Sequence, residues 1–544
     1  MMHNHVHPVS RSGLARLLLT TAMLGAAPAA MMPGAAMGQS YFLDNLDRDP
    51  ASGLNPGSGR WSEGDAIWAR EDGTGHADLP RGATAVLRQD DPLAPPTRLE
   101  IQGTVRPGSI EVDSNGFTLA GGTIGRAGDG LVFRVVDGVR LAVSSTLAGQ
   151  VAVEGAGTLN YSGQARMDSL TVRGDAQLET DATAVTETDL TLEDRAMASL
   201  NGLHTGDVTV SRDAQLGGSG TIDGTVRLDG RSVLSGAVGT LEVNRTGRLG
   251  LSGDMRVDEV AAQEGALVVG AGRTLTVAQG GLVNDGSLTL GGTLDLADGA
   301  ALENAGDLVM AGGALTGALR NLVGATLRFA STAADTVTTQ VGGDLRNDGT
   351  IAISGTGAQV LDLGGNDFVS DGTITRSGTG TLRIIARMFQ LEDDSQTDLG
   401  LVELVGEIGN AGLLRVTRAG RLGGELSNAA SGRVQVDRTL DAAGFAIANA
   451  GQMTVAGTGA VEGAGELSND GTLRVAGRLA ADRIANDGLL VADGAEIAGD
   501  VENRGRIEVT GDVAVDGDVR NLGTLRSDGE ATLRLADGRT FRNE

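Results

Sequence analysis

The sequence predicts an all-β chain, a right-handed parallel β-helix (β-solenoid) with an N-terminal cap, and three observations predict it. Gly supplies 86 of 544 residues, Cys is absent, and the aromatics are eight Phe, two Trp and two Tyr, which fits tight turns around a narrow interior and excludes a disulfide scaffold. Asn recurs through the second half at intervals near 20 residues, each time two positions after an apolar side chain. Around these Asn, apolar and polar residues alternate with the period of a strand rather than of a helix.

Composition narrows the class further. Gly does not fall at every third position, so collagen is excluded, and the aromatic girdles of a porin-like barrel are missing. With 40% hydrophobic and 21% charged residues of mixed sign, the chain is too apolar for simple disorder. Every basic residue is Arg, and 43 of them stand against 70 Asp and Glu for a net charge of -27. Phosphate binding needs a basic footprint, so nucleic acid is not expected as a partner. An acidic surface suits a secreted protein that stays soluble and collects divalent cations loosely.

Residues 1–38 read as an export signal. His3, His5, His7, Arg11 and Arg16 precede the apolar run Leu17 to Ala27, and small residues follow up to Ala36-Met37-Gly38, a charged, apolar and small-residue order that marks a cleaved leader. Cleavage is expected before Gln39, with Ala29 or Ala30 as the alternative. No later stretch approaches the ~18 apolar residues of a spanning helix. Residues 39–98 form the expected cap: Tyr41, Phe42, Trp61 and Trp68 fall within 28 positions, followed by Pro92, Pro95 and Pro96. A stacked rod must shield its first open edge from other strands. The alternative role for these rings is an aromatic platform for carbohydrate.

Residues 99–280 are expected to be solenoid with loose repeats. Leu170-Thr171-Val172, Leu190-Thr191-Leu192, Val208-Thr209-Val210, Val226-Arg227-Leu228 and Leu241-Glu242-Val243 start 20, 18, 18 and 15 residues apart. Residues 281–544 carry the strict repeat, in which Asn284, Asn304, Asn321, Asn347, Asn410, Asn428, Asn449, Asn469, Asn486, Asn503, Asn521 and Asn543 follow Leu282, Leu302, Leu319, Leu345, Ile408, Leu426, Ile447, Leu467, Ile484, Val501, Val519 and Phe541. One gap of 63 residues, between Asn347 and Asn410, spans about three periods, and Ser370 is expected to hold one of the missing places.

In Leu467-Ser468-Asn469-Asp470-Gly471-Thr472-Leu473-Arg474-Val475, strand parity puts Leu467, Asn469, Gly471, Leu473 and Val475 inside and the other four outside. The Asn amides would then bond from coil to coil, as in stacked strands, and the Gly would supply a positive φ or a close approach. The other reading leaves each Asn outside, starting a turn. A coil this short cannot stabilise itself, so stacking is obligatory, and parallel crossovers favour the right hand. At ~20 residues per coil and ~4.8 Å per stacked strand, about 22 coils make a rod on the order of 100 Å long.

No catalytic, cofactor-binding or metal-ligating set is predicted. His204, in Asn201-Gly202-Leu203-His204-Thr205, reads as part of an ordinary turn with no nucleophile motif to serve. Asp90-Asp91 and Asp393-Asp394 are the places where paired carboxylates of a glycan-cleaving site would be sought, and each also reads as a solvated loop. Gly364-Gly365-Asn366-Asp367-Phe368 matches a Ca²⁺ nonapeptide once, without the tandem copies that such binding needs. Arg173-Gly174-Asp175 has the form of an integrin-type adhesive tripeptide but falls in the turn of a regular coil. Ile384-Ile385-Ala386-Arg387-Met388-Phe389 breaks the alternation, as an exposed partner patch or as a degenerate buried coil.

Ile101-Gln102-Gly103-Thr104-Val105, Gly108-Ser109-Ile110-Glu111-Val112 and Asn115-Gly116-Phe117-Thr118-Leu119-Ala120-Gly121-Gly122-Thr123-Ile124, preceded by Trp61-Ser62-Glu63-Gly64-Asp65-Ala66-Ile67-Trp68, resemble the opening coils of autotransporter passenger domains. Leu216-Gly217-Gly218-Ser219-Gly220-Thr221-Ile222-Asp223-Gly224-Thr225-Val226 is similar to them as well. The resemblance covers essentially the whole chain after the leader and is specific for architecture rather than activity. It implies type V secretion through the periplasm to the surface or extracellular space of a Gram-negative bacterium, and an adhesin-like role with an unknown surface glycan or protein as ligand. No translocator barrel is read in the chain, so the outer-membrane barrel is expected in trans or lost. Two-partner exoproteins of the filamentous-haemagglutinin type are a lesser match, because Asn55-Pro56-Gly57 stands in place of their Asn-Pro-Asn-Gly. The alternative function is a β-helical lyase or glycoside hydrolase acting on extracellular polysaccharide.

Overall fold

The computed structural model describes residues 39–46, 54–91, 94–128 and 130–544; the expected leader, residues 1–38, lies outside them. Ser40–Glu544 is one compact unit, a parallel β-solenoid of about 22 turns without a helix among the described residues. Each full coil contributes three short strands to three stacked faces. One coil runs Leu282–Asn284, Ser287–Leu290 and Thr293–Leu296; the next runs Ala301–Asn304, Asp307–Met310 and Ala314–Leu315. Each strand pairs in parallel with the strand one coil on, Leu282 opposite Leu302, Leu288 opposite Leu308 and Leu294 opposite Leu315.

Alternation builds the interior. Leu467, Asn469, Leu473 and Val475 are buried, whereas Asp470 and Arg474 are exposed, so aliphatic side chains stack on their counterparts above and below along one continuous core. Like on like is what parallel in-register strands impose, and it leaves room for few rings.

The loose repeats belong to the same solenoid and enter the same face. Val172, Leu192, Val210, Leu228, Val243 and Gln263 are successive register partners. The column then continues at Asn284, because Asp285 N–H and Gly286 N–H donate to Gln263 O just as Ala305 N–H and Gly306 N–H donate to Asn284 O. In the 63-residue gap, Ser370 stands opposite Asn347 and Leu391 opposite Ser370, with Asn410 next.

At the N-terminal end, strand Ser40–Leu43 pairs in parallel with Thr84–Leu87 and, on its other side, antiparallel with Trp68–Ala69. An antiparallel strand at that margin interrupts the parallel stacking pattern and blunts the edge. Trp61 and Trp68 are 1% and 0% exposed, with ring centroids 4.9 Å apart at 63°, an edge-to-face pair. The two indoles are core, so the carbohydrate-platform alternative is corrected: a sugar has no access to their faces. In the same segment Asp44, fully buried, lies 2.9 Å from His76 Nε2 and accepts from Asn55 N–H.

Candidate functional site

Eleven of the twelve repeat Asn are buried to 0–3% exposure, and Asn543 lies exposed in the last strand. Their side chains form two amide ladders. In the first, Asn284, Asn304 and Asn321 each donate Nδ2–H to the Oδ1 of the next Asn at 2.6–2.8 Å, and Asn347 donates to Ser370 Oγ at 3.1 Å. In the second, Asn410, Asn428, Asn449, Asn469, Asn486, Asn503 and Asn521 donate onward at 2.5–2.7 Å, ending on Asn543. Most of these nitrogens also donate to a main-chain carbonyl of the next coil, as Asn469 does to Leu489 O at 3.2 Å. A carbonyl can only accept, which fixes the orientation of each amide and gives the ladder one direction. The two starting acceptors, Asn284 Oδ1 and Asn410 Oδ1, are accordingly buried without a partner.

Of the two reasons for the corner Gly, close approach is the operative one. A Cβ on Gly471, Gly488 or Gly505 would sit 2.2 Å from the carbonyl oxygen of the Gly one coil before it, and none of the three has a positive φ.

A second stack lies outside and was missed. Asp207 N–H donates to Asp189 Oδ1 and Thr225 N–H to Asp207 Oδ1; the same bond joins Asp367 to Asp344, Asp518 to Asp500 and Thr540 to Asp518, at 2.8–3.0 Å. Accepting the N–H of Thr225 or Thr540 holds the Asp207 and Asp518 carboxyls below the usual carboxylate range. The signal was present in the sequence, since these Asp directly precede the apolar residue that stands two before the column residue: Asp189-Leu190, Asp207-Val208, Asp344-Leu345, Asp367-Phe368, Asp500-Val501 and Asp518-Val519. Elsewhere opposite charges stack across coils, Arg134 bridging Glu111 and Glu154 at 3.0 and 3.1 Å, and Arg483 bridging Glu466 and Glu502 at 3.3 and 2.8 Å. Such cross-coil pairs offset part of the repulsion in a strongly acidic chain that stacks in register.

The remaining candidates are spread out. His204 is not in a turn, which corrects the expectation: it lies in strand Leu203–Thr205, pointing inward at 1% exposure between Thr186 and Ile222. Its Nδ1 shares a 2.7 Å hydrogen bond with Thr186 Oγ1, its Nε2 has no partner, and burial pushes its pKa down to about 4. Asp90 pairs with Arg88 at 2.9 Å, and Asp393 accepts from Ser431 Oγ at 3.0 Å. Asp367 pairs with Arg387 at 2.6 Å, and Asn366 Nδ2–H donates to its own turn at Leu363 O. Both charges of the Arg173-Gly174-Asp175 tripeptide are engaged, Arg173 with Glu154 and Asp175 with Arg195 at 2.6 and 2.7 Å. Ile384, Ala386 and Phe389 are buried, Phe389 against Phe368 with centroids 5.5 Å apart, so the exposed-patch alternative is set aside. Among the described residues no three His, Asp or Glu side chains are grouped to hold a metal, and no helix is long and apolar enough to cross a membrane.

No family model matches the chain, and neither a curated protein nor a solved structure is found similar to it.

Proposed function

We propose that the chain is an exported structural protein of the cell surface or extracellular space of a Gram-negative bacterium, an adhesin-like autotransporter passenger that acts through multivalent contacts along its coils. The observation that carries this reading is the vertical register of about 22 turns, which repeats the same outward columns at strand spacing. Weak contacts repeated at fixed spacing gain by avidity, without any one strong pocket. The resemblance of the opening coils to passenger domains supports the export route, with an outer-membrane barrel as its partner.

The test couples the purified chain to beads at rising surface density and measures capture on host cells and on a glycan array. Capture that climbs more steeply than density is the expected result. Density-independent binding of one small sugar overturns the multivalent mechanism, and depolymerisation of an extracellular polysaccharide replaces the adhesive reading with an enzymatic one.

A further inference from the structure

We propose that the coil from Leu391 to Leu404 is a built-in opening point, at which the stack parts before it parts elsewhere in the C-terminal half; this does not rest on the adhesive reading. Leu391 is itself only 1% exposed, so the coil is packed. Its amide-face strand pairs fully with both neighbours; what it lacks is one specific set of bonds on each of the three faces.

On the amide face, Leu391 sits in the ladder column between Ser370 and Asn410. The first ladder therefore stops at Ser370 Oγ, and Asn410 Oδ1 is buried with no donor. On the second face, pairing with the preceding coil shrinks to the single partner pair Thr373 and Gln396, whereas Thr350–Ile353 with Thr373–Arg376, and Leu413–Val416 with Arg433–Val436, pair over four residues each. The same coil buries Ser395 and Thr397 at 0% and 2% exposure, and neither hydroxyl finds a partner. On the third face, Val402–Val405 pair over four residues with Leu382–Ile385 of the coil before, whereas an isolated bridge from Leu404 to Leu422 is the pairing with the coil that follows. Buried groups that bond no better in the closed state than in the open one favour opening. Because a solenoid coil touches only its neighbours, a weak interface remains local and divides the stack into separately melting blocks.

Native-state hydrogen exchange on the full chain tests this. Amides of residues 392–404 are expected to exchange at least about tenfold faster than those of residues 470–482; equal protection overturns the proposal. Leu391→Asn supplies the missing Nδ2–H to Asn410 Oδ1 and is expected to slow exchange in this coil by roughly five- to tenfold; unchanged rates overturn it. Should that variant fail to fold, Asn449→Leu makes a new gap in an intact ladder and is expected to create a second fast-exchanging segment at residues 450–465. An unaltered pattern there counts against the proposal.

Discussion

The column that holds Val172, Leu192, Val210, Leu228 and Val243 in one half of the solenoid holds Asn from position 284 onward in the other, save at Ser370 and Leu391, yet the chain turns the same corner in both. Asp229 N–H and Gly230 N–H donate to Val210 O at 2.9 and 3.2 Å, and Asp470 N–H and Gly471 N–H donate to Asn449 O at 2.9 and 3.0 Å. The corner is thus made by the backbone and by a residue small enough for close stacking, while the side chain in the column is free to be an aliphatic or an amide. The two solutions differ in how they fail. An aliphatic column tolerates a change of shape, whereas a buried amide leaves its neighbours unpaired when one member is lost, so the amide specifies register more strictly.

The largest expected effect breaks that asymmetry directly. Asn469→Leu removes the acceptor of Asn449 and the donor of Asn486, and should weaken the flanking coils by roughly 2–5 kcal/mol, since each buried group left unsatisfied costs ~1–3 kcal/mol. Leu192→Met, in the same column of the other half, should cost under about 1.5 kcal/mol. Hydrogen exchange resolved by coil measures both, and equal losses would show that the amide adds nothing beyond volume.

His204 sharpens the contrast, because it gives the N-terminal half a core group that titrates. Its folded pKa of about 4 lies below the ordinary 6.5, so the unfolded chain binds the proton more readily. The stability of its coil is full above pH 6.5 and is lost progressively as pH falls toward 4, by about 3 kcal/mol in all. His204→Ile, matching Ile222 beside it, should flatten that slope in opening free energies measured between pH 7 and 4. A slope of equal size in both proteins would rule out His204 as its source.

A smaller gain tests the junction between the halves. Gln263 donates to Gly265 O and Ser287 O, leaving its own Oε1 and Asn284 Oδ1 without partners. Gln263→Asn should extend the first ladder by one step and stabilise that coil by about 1 kcal/mol, read as slower exchange at residues 285–290. Least affected will be Asp175→Asn: its Arg195 pair is exposed to solvent, and such pairs hold little against water and salt. Exchange rates and thermal melting should be unchanged within error, at low and high salt alike.

Much of this architecture was legible because parallel stacking writes the same residue at the same height in every coil. The twelve Asn, their apolar partners and the place of Ser370 were readable from spacing alone. Leu391 was not, since an aliphatic in the amide column looks like any other core residue. His204 was misread because parity inverts locally: Leu203 faces out at 41% exposure and the imidazole faces in, against the rule that the apolar residue marks the interior. The antiparallel edge at Trp68–Ala69 was illegible for another reason, since its partner strand lies about 25 residues away with no repeat to announce it. The Asp stack was readable in retrospect, but with 70 acids in the chain its register had to be seen in three dimensions.

Because every amide points the same way, the group dipoles of a run add, and each polarises the one above it. A run of seven links from Asn410 to Asn543 reinforces itself more than a run of three from Asn284 to Asn347, by something like 10–30% per bond where such coupling operates. The longer column therefore behaves as a small permanent electret laid along the axis, negative where it begins at residue 410 and positive at its far tip.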